Sequence, residues 1–245
     1  MEEFGLAHFL AQSDVVGRLV LLALLAMSLV SWTLILWKLV QLRLAAQARR
    51  GFVDRYRLLP VPTGLERLLQ EEPAANGCGR VASAALEALA RWARRGERRL
   101  LELGEGGDFV SDALNLAVSR EQDRLEGGLA ALAAIGSTAP FVGLLGTVWG
   151  IFHALIAIGV SGQGTLDKVA GPVGEALVMT AFGLAVAIPA VLAYNAFVRA
   201  TRRAAGELED FAHEVFAFLA TGVPAGAAAQ PAPSTAAPLA VAGSR

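Results

Sequence analysis

Three stretches of this chain hold no Asp, Glu, Lys or Arg: residues 19–37, 127–166 and 176–198. They run for 19, 40 and 23 residues. A helix needs about 20 apolar residues, rising about 1.5 Å each, to cross the hydrocarbon of a bilayer. In lipid the backbone must satisfy its own hydrogen bonds, so isolated spans of this length are helical. The expected fold is all-α, a membrane protein with three transmembrane helices. A content of 55% hydrophobic residues and a mean hydropathy of +0.51 exceed what an ordinary soluble domain carries.

The charge between the windows sets the expected topology. The first window follows Glu2, Glu3, Asp14 and Arg18 and precedes Lys38, Arg43, Arg49 and Arg50. A cleaved signal has its basic residues in front, so this window reads as a retained helix. Fifteen Lys and Arg lie between the first and second windows, only Lys168 between the second and third, and Arg199, Arg202 and Arg203 after the third. Positive charge stays on the cytoplasmic side. The N-terminus is thus expected outside and the C-terminus inside. The chain divides into an outer segment 1–14, a first span 15–40, a cytoplasmic helical domain 41–126 and a second span 127–160. An outer hairpin 161–168, a third span 169–198, a helical extension 199–221 and an Ala/Pro-rich tail 222–245 complete it. The tail has too few large apolar residues to bury a core and is expected to be disordered.

Within the cytoplasmic domain, Thr63-Gly-Leu-Glu66 fits a capping box. Helical spacing follows from Arg80 to Leu101. The run GEGG at 104–107 is expected to end that helix, and Asp108 to cap the next. From there Leu114, Leu116, Leu125 and Leu129 continue the spacing with no breaker into the second span. The second and third membrane helices are therefore both expected to extend into the cytoplasm.

At about 100° per residue, Gly143, Thr147, Gly150, Ala154 and Ala157 share one face of the second span. Ala176, Thr180, Gly183, Ala187 and Ala190 share one face of the third. Small residues let helix backbones approach closely in lipid. Gly143, Gly150, Ala154, Gly183 and Ala187 are the expected packing positions. The first span lacks such a stripe and is expected to face lipid. Each stripe carries one threonine, either for hydrogen bonding between helices or for lining a hydrated path.

Glu175 stands at the head of the third window. A carboxylate in hydrocarbon costs roughly 2.5 kcal/mol or more unless it finds a partner, a proton or water. It could reach the headgroups, pair with Lys168 two turns back, or face a wet pore. His153 is the only histidine in a window and could serve packing or a pore. Pro140 and Pro189 are expected to kink their helices, and Asn195 to mark the inner exit of the third. A single cysteine, Cys78, excludes an intrachain disulfide and a cysteine-built metal site. It is expected to be reduced, on the cytoplasmic side. No phosphate loop or nucleophile–base pair points to an enzyme, and a net charge of −1 suggests no nucleic-acid partner.

The stretches STAPFVGLLGTVWGIFHALIAIG (137–159) and VAGPVGEALVMTAFGLAVAIPAVLAYN (169–195) resemble the ExbB/TolQ/MotA proton-channel family, and within it ExbB most. The family often has Pro-Gly where this chain has Gly171-Pro172. The resemblance implies that Glu175, Thr147 and Thr180 form a proton pathway. It implies a bacterial inner-membrane protein with a periplasmic N-terminus, needing no cofactor or metal. Five copies would surround a pore holding an ExbD-like single-span partner with an aspartate. A TonB-like protein would couple this motor to outer-membrane import of siderophores and vitamin B12. A TolQ-like role in the Tol-Pal envelope motor is the near alternative. A non-conducting membrane scaffold is the alternative of another class.

Overall fold

The computed structural model describes residues 14–71, 76–94, 103–161 and 166–223, the side chains at 103–106, 161–169 and 172 excepted. Among the described residues the regular structure is helical. The helices are α1 (Val15–Tyr56), α2 (Thr63–Glu71), α3 (Gly77–Ala93), α4 (Leu103–Glu126), α5 (Leu129–Ser161) and α6 (Leu166–Thr221). Three stretches are long and apolar enough to cross a membrane; they lie in α1, in α4–α5 and in α6.

The chain divides into two units: Met1–Leu44 with Gln122–Arg203, and Ala45–Glu121 with Ala204–Arg245. The first unit contains the apolar spans. Its core is built from Val20 and Leu24 of α1, Leu132 and Ala139 of α5, and Met179 and Ala190 of α6. Around this core the outward face is apolar too. Leu22, Leu25, Leu29 and Leu36 of α1 are exposed, as are Phe141, Leu145, Val148 and Phe152 of α5. So large an apolar surface has a place in lipid but not in water. Trp37, beside Gly128, and Trp149, beside Asp14, mark the two ends of the α1 span, where amphipathic rings favour the membrane interface.

The second unit packs the end of α1 and the end of α6 with α2, α3 and most of α4. Phe52 and Tyr56 meet Phe211 edge-on at 6.0 and 5.1 Å, and Tyr56 meets Phe218 at 5.7 Å. Beside them Arg49 pairs with Glu207, Arg57 with Glu214, and Arg80 with Glu121. Asn76 caps α3 by accepting from the Gly79 amide at 2.7 Å. Cys78 is fully buried in this unit. Burial pushes its thiol up to about 12.

Two expectations need correction. GEGG does not end a helix, and Asp108 does not cap one: both lie inside α4, which begins at Leu103. Glycine costs only about 1 kcal/mol in a helix. Near a helix start it is carried by the packed turns that follow, here through Val110, Leu114 and Val118. The end of α3 that GEGG was expected to supply comes earlier, with Arg94 at the C-cap; residues 95–102 lie outside the described residues. Second, the run into the second span is broken. Gly127 and Gly128 form a turn between α4 and α5, with Gly128 at φ +82°. That left-handed conformation suits glycine and ends the helical ladder. Gly222, at φ +71°, closes α6 in the same way, its amide bonded to the Phe218 carbonyl at 2.9 Å. Most of the Ala/Pro-rich tail lies outside the described residues.

Candidate functional site

The two small-residue stripes face each other within one chain. A Cβ added at Gly143 would lie 2.7 Å from the Met179 carbonyl oxygen and 3.1 Å from the Gly183 Cα. A Cβ at Gly183 would lie 2.7 Å from the Ala139 carbonyl oxygen. Further along, a Cβ at Gly150 would meet the Ala176 Cβ at 3.0 Å, and one at Gly136 would meet Val191 at 2.5 Å. Ala154, Ala187 and Ala190 are buried on the same faces, whereas Ala157 is exposed. The seam between α5 and α6 thus has backbone nearly touching backbone, which only glycine at 143 and 183 permits.

Thr147 and Thr180 meet in this seam and hydrogen-bond to each other. The Thr147 hydroxyl also lies 3.0 Å from the Ala176 carbonyl, across the seam, and 3.2 Å from the Gly143 carbonyl of its own helix. A hydroxyl has one proton to donate and two lone pairs to accept with. Thr147 can therefore turn its proton between the carbonyls and Thr180, in a setting where it is only 7% exposed. With Thr180 half-buried beside it, this is a polar pair of rotatable donors between two otherwise apolar helices.

Glu175 is half-buried and lies one residue before Ala176. It precedes Thr180 by five residues, about 7.5 Å of rise and about 140° of turn. Its side therefore differs from the seam. It shares a face of α6 with Met179, one turn on, which packs in the core with Val20 and Leu24 of α1. Among the described residues no ion pair or hydrogen bond engages its carboxylate. Lys168, the partner weighed from spacing, has its side chain outside the described ones.

His153 faces the start of α1 rather than α6. Its Nε2 lies 3.5 Å from Oδ2 of Asp14, and its ring stacks on Trp149 with centroids 4.7 Å apart. The Trp149 indole donates to the same carboxylate oxygen at 3.4 Å, and the Val15 amide donates to Oδ1 at 2.7 Å. The Val15 amide, and after it the Trp149 indole, hold the Asp14 carboxyl below its usual range. At the other end of the span, Lys38 is buried and donates to the Gly127 carbonyl at 2.8 Å. From the sequence Asp14 and Lys38 read only as charges flanking the first window, and Trp149 is not singled out. Asp14 directly before an apolar run is a legible capping signal. Lys38 reads only as a boundary charge, because nothing local shows that a turn 89 residues on lies beside it. No group of three metal-ligating side chains occurs among the described residues.

An all-helical, three-span membrane protein with a paired hydroxyl site in its tightest seam is the class that this architecture defines. The chain belongs to the MotA/TolQ/ExbB proton channel family, which it matches over residues 84–210. The matched stretch includes the seam, both threonines, Glu175 and His153. The chain is 48% identical over 159 residues to the biopolymer transport protein ExbB of Xanthomonas campestris pv. campestris, covering 64% of this chain and 62% of that one. It is 45% identical over 136 residues to the ExbB of Neisseria gonorrhoeae, covering 56% and 62%. The Tol-Pal system protein TolQ of Pseudomonas aeruginosa is 46% identical over 110 residues, covering 45% and 48%. The match thus spans less than two thirds of the length of these relatives, and the two ExbB proteins align over more of this chain than that TolQ does.

Proposed function

We propose that this chain is the proton-channel subunit of an ExbB-ExbD-TonB-like motor in the bacterial inner membrane, with Glu175, Thr147 and Thr180 on the proton path. The observation that carries this reading is the Thr147–Thr180 pair, a buried and a half-buried hydroxyl bonded to each other in a glycine seam of two apolar helices. Glu175 is the titratable group nearest to it along α6. A proton crossing the full field gains about 2.3 kcal/mol per 100 mV. A motor uses that energy when protonation favours one arrangement over another. Glu175 takes and releases the proton with an aspartate of a single-span partner, and the hydroxyl pair extends the polar path past the point where the seam is narrowest. Several copies, five by family likeness, enclose that partner. A TonB-like protein carries the work to siderophore and vitamin B12 import. The N-terminus is periplasmic and the C-terminus cytoplasmic.

Glu175→Gln keeps shape and hydrogen bonding but cannot titrate. Cells carrying it as their only copy should assemble the complex at normal level yet fail to grow on a ferric siderophore as sole iron source. Normal growth would remove Glu175 from the mechanism. The TolQ relative supports a second reading, a subunit of a Tol-Pal envelope motor. Complementation separates the two: the ExbB-like reading expects rescue of siderophore growth, and the TolQ-like reading expects rescue of outer-membrane integrity. A non-conducting scaffold would rescue neither and would pass no protons when co-expressed with the single-span partner in vesicles.

A further inference from the structure

The first unit holds a second set of polar contacts that the proton path does not use. They lie at the two ends of the α1 span, and both tie α1 to the α4–α5 part of the chain. At one end Asp14 receives the Trp149 indole and lies beside His153. At the other, Leu34, Trp37 and Lys38 cover the turn between α4 and α5. Lys38 is 1% exposed, and its ammonium donates to the Gly127 carbonyl at 2.8 Å while standing 5.6 Å from the Trp37 ring centre. A Cβ added at Gly128 would sit 3.5 Å from Leu34 and 3.7 Å from Trp37. Between the two ends Val20 lies against Gly146, where an added Cβ would come within 3.0 Å of it.

These contacts keep step. Asp14 and Lys38 are 24 residues apart, and Gly127 and Trp149 are 22 apart. At 1.5 Å per residue both separations are about 33–36 Å, the thickness of a bilayer's hydrocarbon with a small margin. The two helices run antiparallel in register from one interface to the other. Apolar packing of Leu and Val against a helix does not specify axial position, since neighbouring turns offer similar grooves. A directional bond at each end does. The inner bond also answers a local need. Gly128 at φ +82° interrupts the ladder, and α5 restarts with the Leu132 amide on the Gly128 carbonyl. That leaves the Gly127 carbonyl for a side chain to satisfy.

We propose that α1 is a brace clamped to α5 at both ends, by Asp14 on Trp149 and His153 and by Lys38 on Gly127, and that Lys38 and Asp14 are positioning residues. The Lys38 clamp fixes where α5 begins. Thr147 lies 18 residues after Leu129, so the clamp sets the height at which Thr147 meets Thr180. α1 carries no proton; it holds one wall of the path still while the other parts of the motor move. The consequence for transport rests on the proton-channel reading. The clamp itself does not.

Backbone hydrogen exchange on the full chain in lipid nanodiscs reads the clamp directly. Lys38→Met should speed exchange at the amides of residues 132–135, the first in α5 to bond within the helix, by about tenfold or more, because opening at the turn loses its tie. Lys38→Arg, which keeps the cation and the donor, should restore slow exchange. Asp14→Asn should speed exchange only near residues 149–153. If Lys38→Met fails to insert, Gly128→Ala attacks the same turn and should give the same pattern. Unchanged exchange at 132–135 in the variant that inserts would overturn the brace. In cells, Lys38→Met should lower siderophore-dependent growth at normal oligomer level, with Lys38→Arg rescuing it. Faster exchange with undiminished growth would overturn the positioning role, provided that Glu175→Gln abolishes growth in the same strain. Growth of both variants would instead count against the proton-channel reading.

Discussion

At the scale of single residues, Thr147 and Thr180 do two things at once. Each closes a polar gap between apolar helices, and together they form the rotatable pair of the seam. Thr147→Val keeps the volume, removes the donor and leaves Thr180 and the Ala176 carbonyl one partner short. Hydrogen bonds between helices in membranes contribute about 0.6 kcal/mol on average and up to about 1.7. A loss in that range is expected in a thermal or denaturant titration of the detergent-solubilised protein. Thr180→Val should cost a similar amount. The double variant should cost less than the sum, because the two side chains share one bond. Strict additivity would show that the pair does not couple. Cys78 is a different kind of residue, a thiol whose folded value near 12 lies above its ordinary 9.0. A raised value means that the folded state keeps its proton where the unfolded chain loses it. The stability it contributes is complete below pH 9 and declines as pH rises from about 9 toward about 12. Cys78→Ala should flatten that alkaline decline in a pH series of melts, though it also leaves a small cavity.

At the scale of elements, α5 and α6 are held by glycines whose replacement is graded by what a new Cβ would strike. At Gly143 and Gly183 it would strike a carbonyl oxygen at 2.7 Å, and neither backbone can yield without parting the helices. At Gly174, on the same helix as Gly183, nothing lies within 4 Å. Overpacking costs typically 1–3 kcal/mol. Gly143→Ala and Gly183→Ala should therefore destabilise the protein by about that much, and Gly143→Leu should abolish folding and assembly. Gly174→Ala should raise the melting temperature slightly, since alanine is the better helix former by about 1 kcal/mol and nothing obstructs it. The check is a melt with fluorescence or light scattering. Equal tolerance at 143 and 174 would show that the seam opens more easily than the geometry allows. These glycines act inside one copy, so loss of assembly in their variants follows from loss of the fold of each copy.

At the scale of the whole molecule, the orientation across the membrane can be tested, but not with the natural cysteine. Cys78 is fully buried, so its failure to react would report packing and not sidedness. Leu58 is 81% exposed in the second unit. In a Cys78→Ala background, Leu58→Cys should resist a membrane-impermeant thiol reagent in intact spheroplasts and react rapidly once the cells are opened. Rapid labelling of intact spheroplasts would invert the topology. Much of the architecture was legible beforehand, because lipid imposes a simple rule: about 20 residues without charge make a span, and 19, 40 and 23 such residues stand out in any reading. The small stripes were legible for a similar reason, since a period of 3.6 places them on one face whatever lies opposite. Their threonines could be placed on those faces, but not against each other. The turn at Gly127 and Gly128 escaped notice because helical spacing continues across it, and a backbone reversal of one residue leaves no mark on apolar periodicity. Lys38 escaped because a charge at the edge of a window looks the same whether it reaches into water or into a carbonyl. Sequence periodicity states which side of a helix a residue occupies. Which helix stands on that side, and at what height, depends on contacts between residues 29, 33 or 89 positions apart. Those contacts exist only once the helices have packed.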